Sequence, residues 1–261
     1  MLPFNNGFAS PLWHNGPIPG GLYNFPGHNG PASQPKKDYG VQRASQPITT
    51  GTSVVGLKFD GGVVIAADNL VSYGSMARFQ DVQRVFNINN KTVVGAGGDF
   101  ADFQCIKRYI DQKIIDDMCY ADEYEMKPKS LYNWLTRILY TKRSKFEPLW
   151  VDIVVGGVED GVPFLGHVDL RGRSYQDDVI ATGFGKHLAL PLLRERTETG
   201  KPIGRDEAIA LVKKCMEVLF YRDCRASPNF TISVCTKEKA EILGPFKVSQ
   251  NWELAKSVEG Y

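Results

Sequence analysis

Gly51-Thr52-Ser53-Val54-Val55-Gly56-Leu57-Lys58-Phe59 is followed by Asp60-Gly61-Gly62 and then by Val63-Val64-Ile65-Ala66-Ala67-Asp68. Two β-rich runs joined by three residues that carry Asp-Gly are the pattern of an antiparallel hairpin. With Phe59 facing Val63, counting back along both strands brings Thr52 opposite the stretch from Asp68 to Leu70. The hairpin therefore predicts a hydroxyl beside a carboxylate. Arg84 follows sixteen residues after Asp68, and Asp68 itself stands sixteen after Thr52.

Downstream of this stretch, Val85 to Ile88 and Thr92 to Ala96 read as short strands around Asn89-Asn90-Lys91. Gly95, Gly97 and Gly98 let the backbone turn, and Asp99 suits the N-cap of a helix with apolar residues at Phe103, Ile106, Ile110, Ile114 and Met118. A second helix from near Ser130 is predicted to bury Leu131, Trp134, Leu135 and Ile138. Its basic end, Lys142-Arg143-Ser144-Lys145, fits a water-facing run that complements the helix dipole, with a nuclear-import or phosphate-binding patch as the other reading. Strands are then predicted over Trp150 to Gly156, Pro163 to Val168 and Arg173 to Thr182. A helix carrying Leu188, Leu190, Leu192 and Leu193 and a longer one over Arg205 to Arg222 come next. Phe230 to Cys235 and Ala240 to Leu243 close the pattern. Strands flanking runs of helices without a βαβ rhythm give an α+β class, two packed sheets with helices on both outer faces.

Residues 1–50 hold eight prolines and seven glycines, which reads as an irregular segment. Its aromatics, among them Phe4, Trp13 and Tyr39, leave two readings, a loose leader or a segment lying along another protein. The 261 residues, 43% hydrophobic and 23% charged, suit one domain plus this appendage. A net charge of +2 makes no electrostatic case for nucleic acid or an anionic membrane as partner. No apolar run approaches membrane-spanning length, and the N-terminus lacks the basic start and apolar core of a secretory signal, so a cytoplasmic or nuclear protein is expected. Five cysteines without paired spacing and four dispersed histidines predict buried or partly buried thiols, no metal and no cofactor.

The stretch from Gly51 to Arg84 resembles the β-type subunits of the 20S proteasome, members of the N-terminal-nucleophile hydrolases. In that family a Gly-Thr bond is cut, and the freed threonine supplies both a nucleophilic hydroxyl and a basic amine. The resemblance implies a four-layer αββα sandwich over 52–261. It also implies a propeptide over 1–51, with the mature start within 41–52, and partners among other proteasome α and β subunits in stacked heptameric rings. Assembly factors are further expected partners. Carried across, Thr52 is the nucleophile position and Asp68 the aspartate. Gly98 supplies the oxyanion amide, Thr182 stands for the supporting serine before Gly183, and Asp223 is the second acid. Two positions depart from the pattern. Arg84 stands where the family has lysine, and Ala226 in Asp223-Cys224-Arg225-Ala226-Ser227 stands where it has serine. Arginine stays charged above pH 12 and is a poor proton handler, and alanine neither donates nor accepts. The implied function is a non-catalytic structural subunit with these residues as a vestigial site, the alternative being a self-processing threonine endopeptidase.

Ser72-Tyr73-Gly74-Ser75 with Arg78-Phe79, Arg143-Ser144-Lys145 before Pro148-Leu149-Trp150, Ala181-Thr182-Gly183-Phe184-Gly185 with Pro191-Leu192-Leu193-Arg194, and Tyr221-Arg222-Asp223 resemble one non-catalytic subunit type within the family. Trp252 to Lys256 is similar to the start of a C-terminal arm that in some relatives clasps the opposite ring.

Overall fold

The computed structural model describes residues 46–120 and 125–257, so the leader through residue 45 lies outside the described residues. These residues belong to one compact unit, Ser45–Tyr261. In chain order the strands and helices are β1 (Thr49–Gly51), β2 (Val54–Phe59), β3 (Gly62–Asp68), β4 (Val71–Tyr73), β5 (Met76–Phe79), β6 (Val85–Asn89), β7 (Thr92–Asp99), α1 (Phe100–Cys119) and α2 (Pro128–Ser144). There follow β8 (Val151–Glu159), β9 (Val162–Val168), β10 (Ser174–Gln176), β11 (Val179–Ala181), α3 (Gly185–Leu188), α4 (Leu190–Thr197), α5 (Arg205–Arg222), β12 (Asn229–Thr236) and β13 (Ala240–Lys247).

One sheet runs β10-β9-β8-β7-β1-β4-β5, with β6 also pairing β7, and the other runs β11-β2-β3-β12-β13. Side-chain alternation along each strand divides the apolar residues into three layers. Val54, Val63, Ile65, Val154, Leu165 and Ile180 pack between the sheets. Their neighbours Val55, Leu57, Val64 and Ala66 face Leu193, Val212 and Leu219 of α4 and α5. On the opposite outer face, Ile153 and Val155 of β8 meet Ile106 of α1 and Leu131 and Leu135 of α2. The order of layers is helix, sheet, sheet, helix, as expected.

The central hairpin forms with a shifted register. Phe59 pairs with Gly62 and Val54 with Ala67, so the turn is the two residues Asp60-Gly61, and Gly62 starts the second strand. Asp99 caps α1 by accepting from the amides of Ala101 and Asp102. The predicted stripe holds through Ile110, but Met118 is exposed. In α2 the buried residue is Leu139 and not the predicted Ile138, which is half-buried. The predicted strand over Arg173 to Thr182 is two strands in different sheets, because the chain crosses at Asp177-Asp178 from β10 beside β9 to β11 beside β2.

β1, β4 and β5 have no counterpart among the predicted strands. Trp252 packs edge-on against Tyr221 and Phe220, anchoring the start of the predicted arm on the end of α5. Of the cysteines, Cys119 and Cys224 are exposed, contrary to expectation. Burial pushes the Cys215 thiol up to about 12 and Cys235 up to about 11, which disfavours the thiolate form at both. Among the described residues no helix is long and apolar enough to cross a membrane, and no group of three His, Cys, Asp or Glu side chains lies ready to hold a metal.

Candidate functional site

Arg84 precedes β6 and is the largest fully buried side chain of the described residues, 1% exposed. Its Nε donates to the Asp68 carbonyl at 2.9 Å. Nη1 donates to the carbonyls of Thr52 at 3.0 Å and Ala96 at 3.1 Å. Nη2 donates to the Ser53 carbonyl at 3.2 Å and to Asp68 Oδ1, with which it forms an ion pair. A guanidinium has five N–H groups, and all five are engaged. The side chain ties the end of β3, the middle of β7 and the two residues between β1 and β2 into one knot. Gly51 makes room for it, since a Cβ there would stand 2.7 Å from Arg84 Cδ.

Asp68 is likewise 1% exposed. Its other oxygen, Oδ2, accepts from the amides of Leu70 at 3.3 Å and Ser227 at 3.2 Å. Burial pushes the Asp68 carboxyl up, while the Arg84 charge and those two amides pull it back. With its acceptors turned to these partners, Asp68 does not receive the Thr52 hydroxyl. That hydroxyl donates to Asp223 Oδ2 at the C-terminal end of α5. The expected hydroxyl beside Asp68 is therefore corrected. Thr52 lies ahead of the β2–β3 pairing, which begins at Val54, so hairpin register does not aim its side chain.

Asp223 also accepts the Arg225 amide at 2.9 Å. Ala226 is half-buried and donates only its backbone N–H, to the Asp223 carbonyl at 3.1 Å. Thr182 Oγ1 accepts from the Val54 amide at 2.9 Å, so this hydroxyl fixes the start of β2. Gly98 has φ +86° and pairs with Gly51 of β1 on one side and Val151 of β8 on the other. Thr52, Asp68 and Arg84 thus form one contact group, Asp223 joins it through Thr52, and Gly98 and Thr182 border it. Reading the sequence missed Ser53, whose hydroxyl accepts the Gly185 amide at 2.9 Å, and Ser227. It also missed the second role of Asp99, described below. These contacts use backbone groups, which leave no residue-type signal.

The nitrogen of Thr52 is in peptide linkage to Gly51, and the residues before it form β1, between β7 and β4. The hydroxyl has a carboxylate acceptor but no free amine beside it, and the neighbouring cation has no unused donor.

Residues 48–235 match the family model for proteasome subunits. The chain belongs to the proteasome β-subunit family. It is 50% identical to proteasome subunit beta type-4 of Drosophila melanogaster over 268 aligned positions, covering all of both chains. Against proteasome subunit beta type-4 of Xenopus laevis it is 46% identical, over 94% of this chain and 98% of that one. Proteasome subunit beta type-7 of Saccharomyces cerevisiae is 40% identical, over 83% and 85% of the two chains. The subunit type that the four quoted segments resemble is this one, called beta-7 or beta type-4. As a proteasome β subunit of the 20S core, the chain assembles with other proteasome subunits in rings and takes part in protein degradation by a threonine protease complex.

Proposed function

We propose that this β subunit is non-catalytic, a structural member of the inner rings that supports peptide hydrolysis performed by its neighbours. The observation that carries this reading is the saturated guanidinium of Arg84. All five of its donors are committed, four of them to backbone carbonyls. A guanidinium held in this way has donors only and no acceptor atom, so it is unsuited to take up the proton that a threonine nucleophile must shed. Ala226 removes a further hydroxyl from the same neighbourhood. Within this reading the particle resides in the cytoplasm and nucleus, and assembly factors are further partners of the subunit.

The test is Thr52→Ala in the assembled particle. Hydrolysis of basic, acidic and hydrophobic peptide reporters, normalised to assembled particle, is expected to stay at the parent level. The substitution removes a hydroxyl that bonds only Asp223, and such a change costs about 0.5 to 3 kcal/mol of stability at most. Selective loss of one reporter activity at normal assembly would make the subunit catalytic.

One observation favours the alternative, a self-processing endopeptidase: the Thr52 hydroxyl already rests on a carboxylate. That reading requires release of the Thr52 amine. We expect instead that purified precursor does not cut Gly51–Thr52 and that trimming in cells comes from an active neighbour. Because β1 is paired on both sides, the cut is expected ahead of Ile48. N-terminal sequencing of the mature subunit decides this, and a Thr52 N-terminus arising in isolated protein would refute it.

A further inference from the structure

Asp99 does more than cap α1. Its Oδ1 accepts from the Ala101 amide at 2.8 Å and the Asp102 amide at 3.4 Å, the ordinary work of an N-cap. Its Oδ2 reaches the other way and accepts from the amides of Ile48 at 2.8 Å and Thr49 at 3.3 Å. The Thr49 hydroxyl adds a bond to Oδ1 at 3.3 Å. One carboxylate, 8% exposed, therefore joins the first turn of α1 to the strand that precedes Thr52.

That strand is short, and much depends on it. β1 lies between β7 and β4, and in the described sheet β4 has only β1 and β5 as neighbours. The Gly74 amide also donates to the Ile48 carbonyl at 3.3 Å. Three paired residues have little hold of their own, since strands normally run several residues longer. Two amides gathered by a charged acceptor add the stronger kind of hydrogen bond at the open end of the strand.

We propose that Asp99 is a positioning residue that locks the segment before Thr52 into the sheet and so keeps the Gly51–Thr52 bond from being cut. Cleavage favours exposed, locally opened chain, and a segment paired on both sides must first leave its sheet. Asp99 then silences Thr52 separately from Arg84, by withholding the free amine. This inference rests on the reading of Thr52 as a silent N-terminal-nucleophile position.

The experiment uses assembled particles carrying Asp99→Asn. Asparagine keeps the shape and remains a good N-cap, but one of its two acceptor oxygens becomes a donor. With the oxygen turned to α1, the amide nitrogen faces the Ile48 and Thr49 amides. Hydrogen exchange at Ile48 and Thr49 is expected to quicken by about tenfold or more. Exchange at Ala101 and Asp102 should stay as it was, and sequencing of the same subunit should show a new N-terminus at Thr52. Ile48→Pro removes the 2.8 Å donor and leaves Asp99 and its helix untouched, so it should reproduce both changes at Thr49 and Thr50. It decides the matter alone if Asp99→Asn does not assemble. Unchanged exchange in the segment, or quicker exchange with no N-terminus at Thr52, overturns the proposal. Neither readout uses peptidase activity. Loss of a reporter activity in Thr52→Ala would therefore sink the silent-subunit reading while leaving the grip of Asp99 on β1 to be judged by exchange.

Discussion

Arg84→Ala is expected to destabilise the subunit by about 3 to 5 kcal/mol, the range found when one partner of a buried ion pair is removed. Two kinds of damage combine. Asp68, 1% exposed, is left as a buried carboxylate with only the Leu70 and Ser227 amides, and the carbonyls of Thr52, Ser53, Asp68 and Ala96 lose a donor. A whole domain is stable by only about 5 to 15 kcal/mol, so a large share of the margin goes. The mutant should incorporate poorly into particles and unfold at a clearly lower temperature. Arg84→Lys is the informative companion. An ammonium keeps the charge for Asp68 but has three donors for the five acceptors, and it cannot span them as a flat fork does. It should recover part of the loss and restore no peptidase activity. Normal assembly of Arg84→Ala with an unchanged melting temperature would show that the knot around residue 84 holds nothing together.

The same knot shows what is legible in the sequence. The hairpin locates Asp68 at the end of β3, and the family spacing picks out Arg84 as its neighbour, but the pairing starts only at Val54 and so does not fix where the Thr52 side chain points. The Asp68–Arg84 pair is legible through the resemblance, which sets a cation at residue 84 beside the aspartate. The other four partners of Arg84 are backbone carbonyls, which every residue type has, and nothing in a sequence marks them. The Thr52–Asp223 contact spans 171 residues and depends on where α5 ends, so no local pattern holds it. β1, β4 and β5 have three or four residues each, too few to show a period of two, and β1 also follows directly on a stretch whose prolines and glycines argue against structure. The passage from Arg173 to Thr182 reads as one strand only if Asp177-Asp178 is overlooked; two adjacent poor strand formers mark the point where the chain changes sheet. The order of strands and helices along the chain does point to two sheets with helices outside them, and the resemblance sharpens this to the layer order found.

Gly98→Ala is expected to be at least as damaging as the loss of Arg84, for a reason unconnected with charge. Gly98 has φ +86°, a conformation whose strain in other residues is about 1 to 3 kcal/mol. A Cβ at this position would also stand 2.3 Å from the Trp150 carbonyl oxygen and 3.0 Å from Val151 Cα. Both are backbone atoms where the chain enters β8 beside β7, so no side chain can swing aside. The Asp99 amide donates to the same Trp150 carbonyl at 2.6 Å, which holds the obstacle in place. Strain and overlap together should exceed about 3 kcal/mol, the upper end for ordinary single substitutions. Gly74→Ala is the control, because Gly74 also has positive φ, at +59°, but a Cβ there would meet nothing within 4 Å. It should lose only the strain part. Comparing the two unfolding midpoints separates backbone conformation from packing, and equal losses would mean that β8 yields easily and the overlap carries no weight. The family reading gives Gly98 an oxyanion-binding amide, yet an amide belongs to nearly any residue. What demands glycine at this position is the carbonyl of Trp150, and that demand holds whether or not Thr52 ever attacks a peptide.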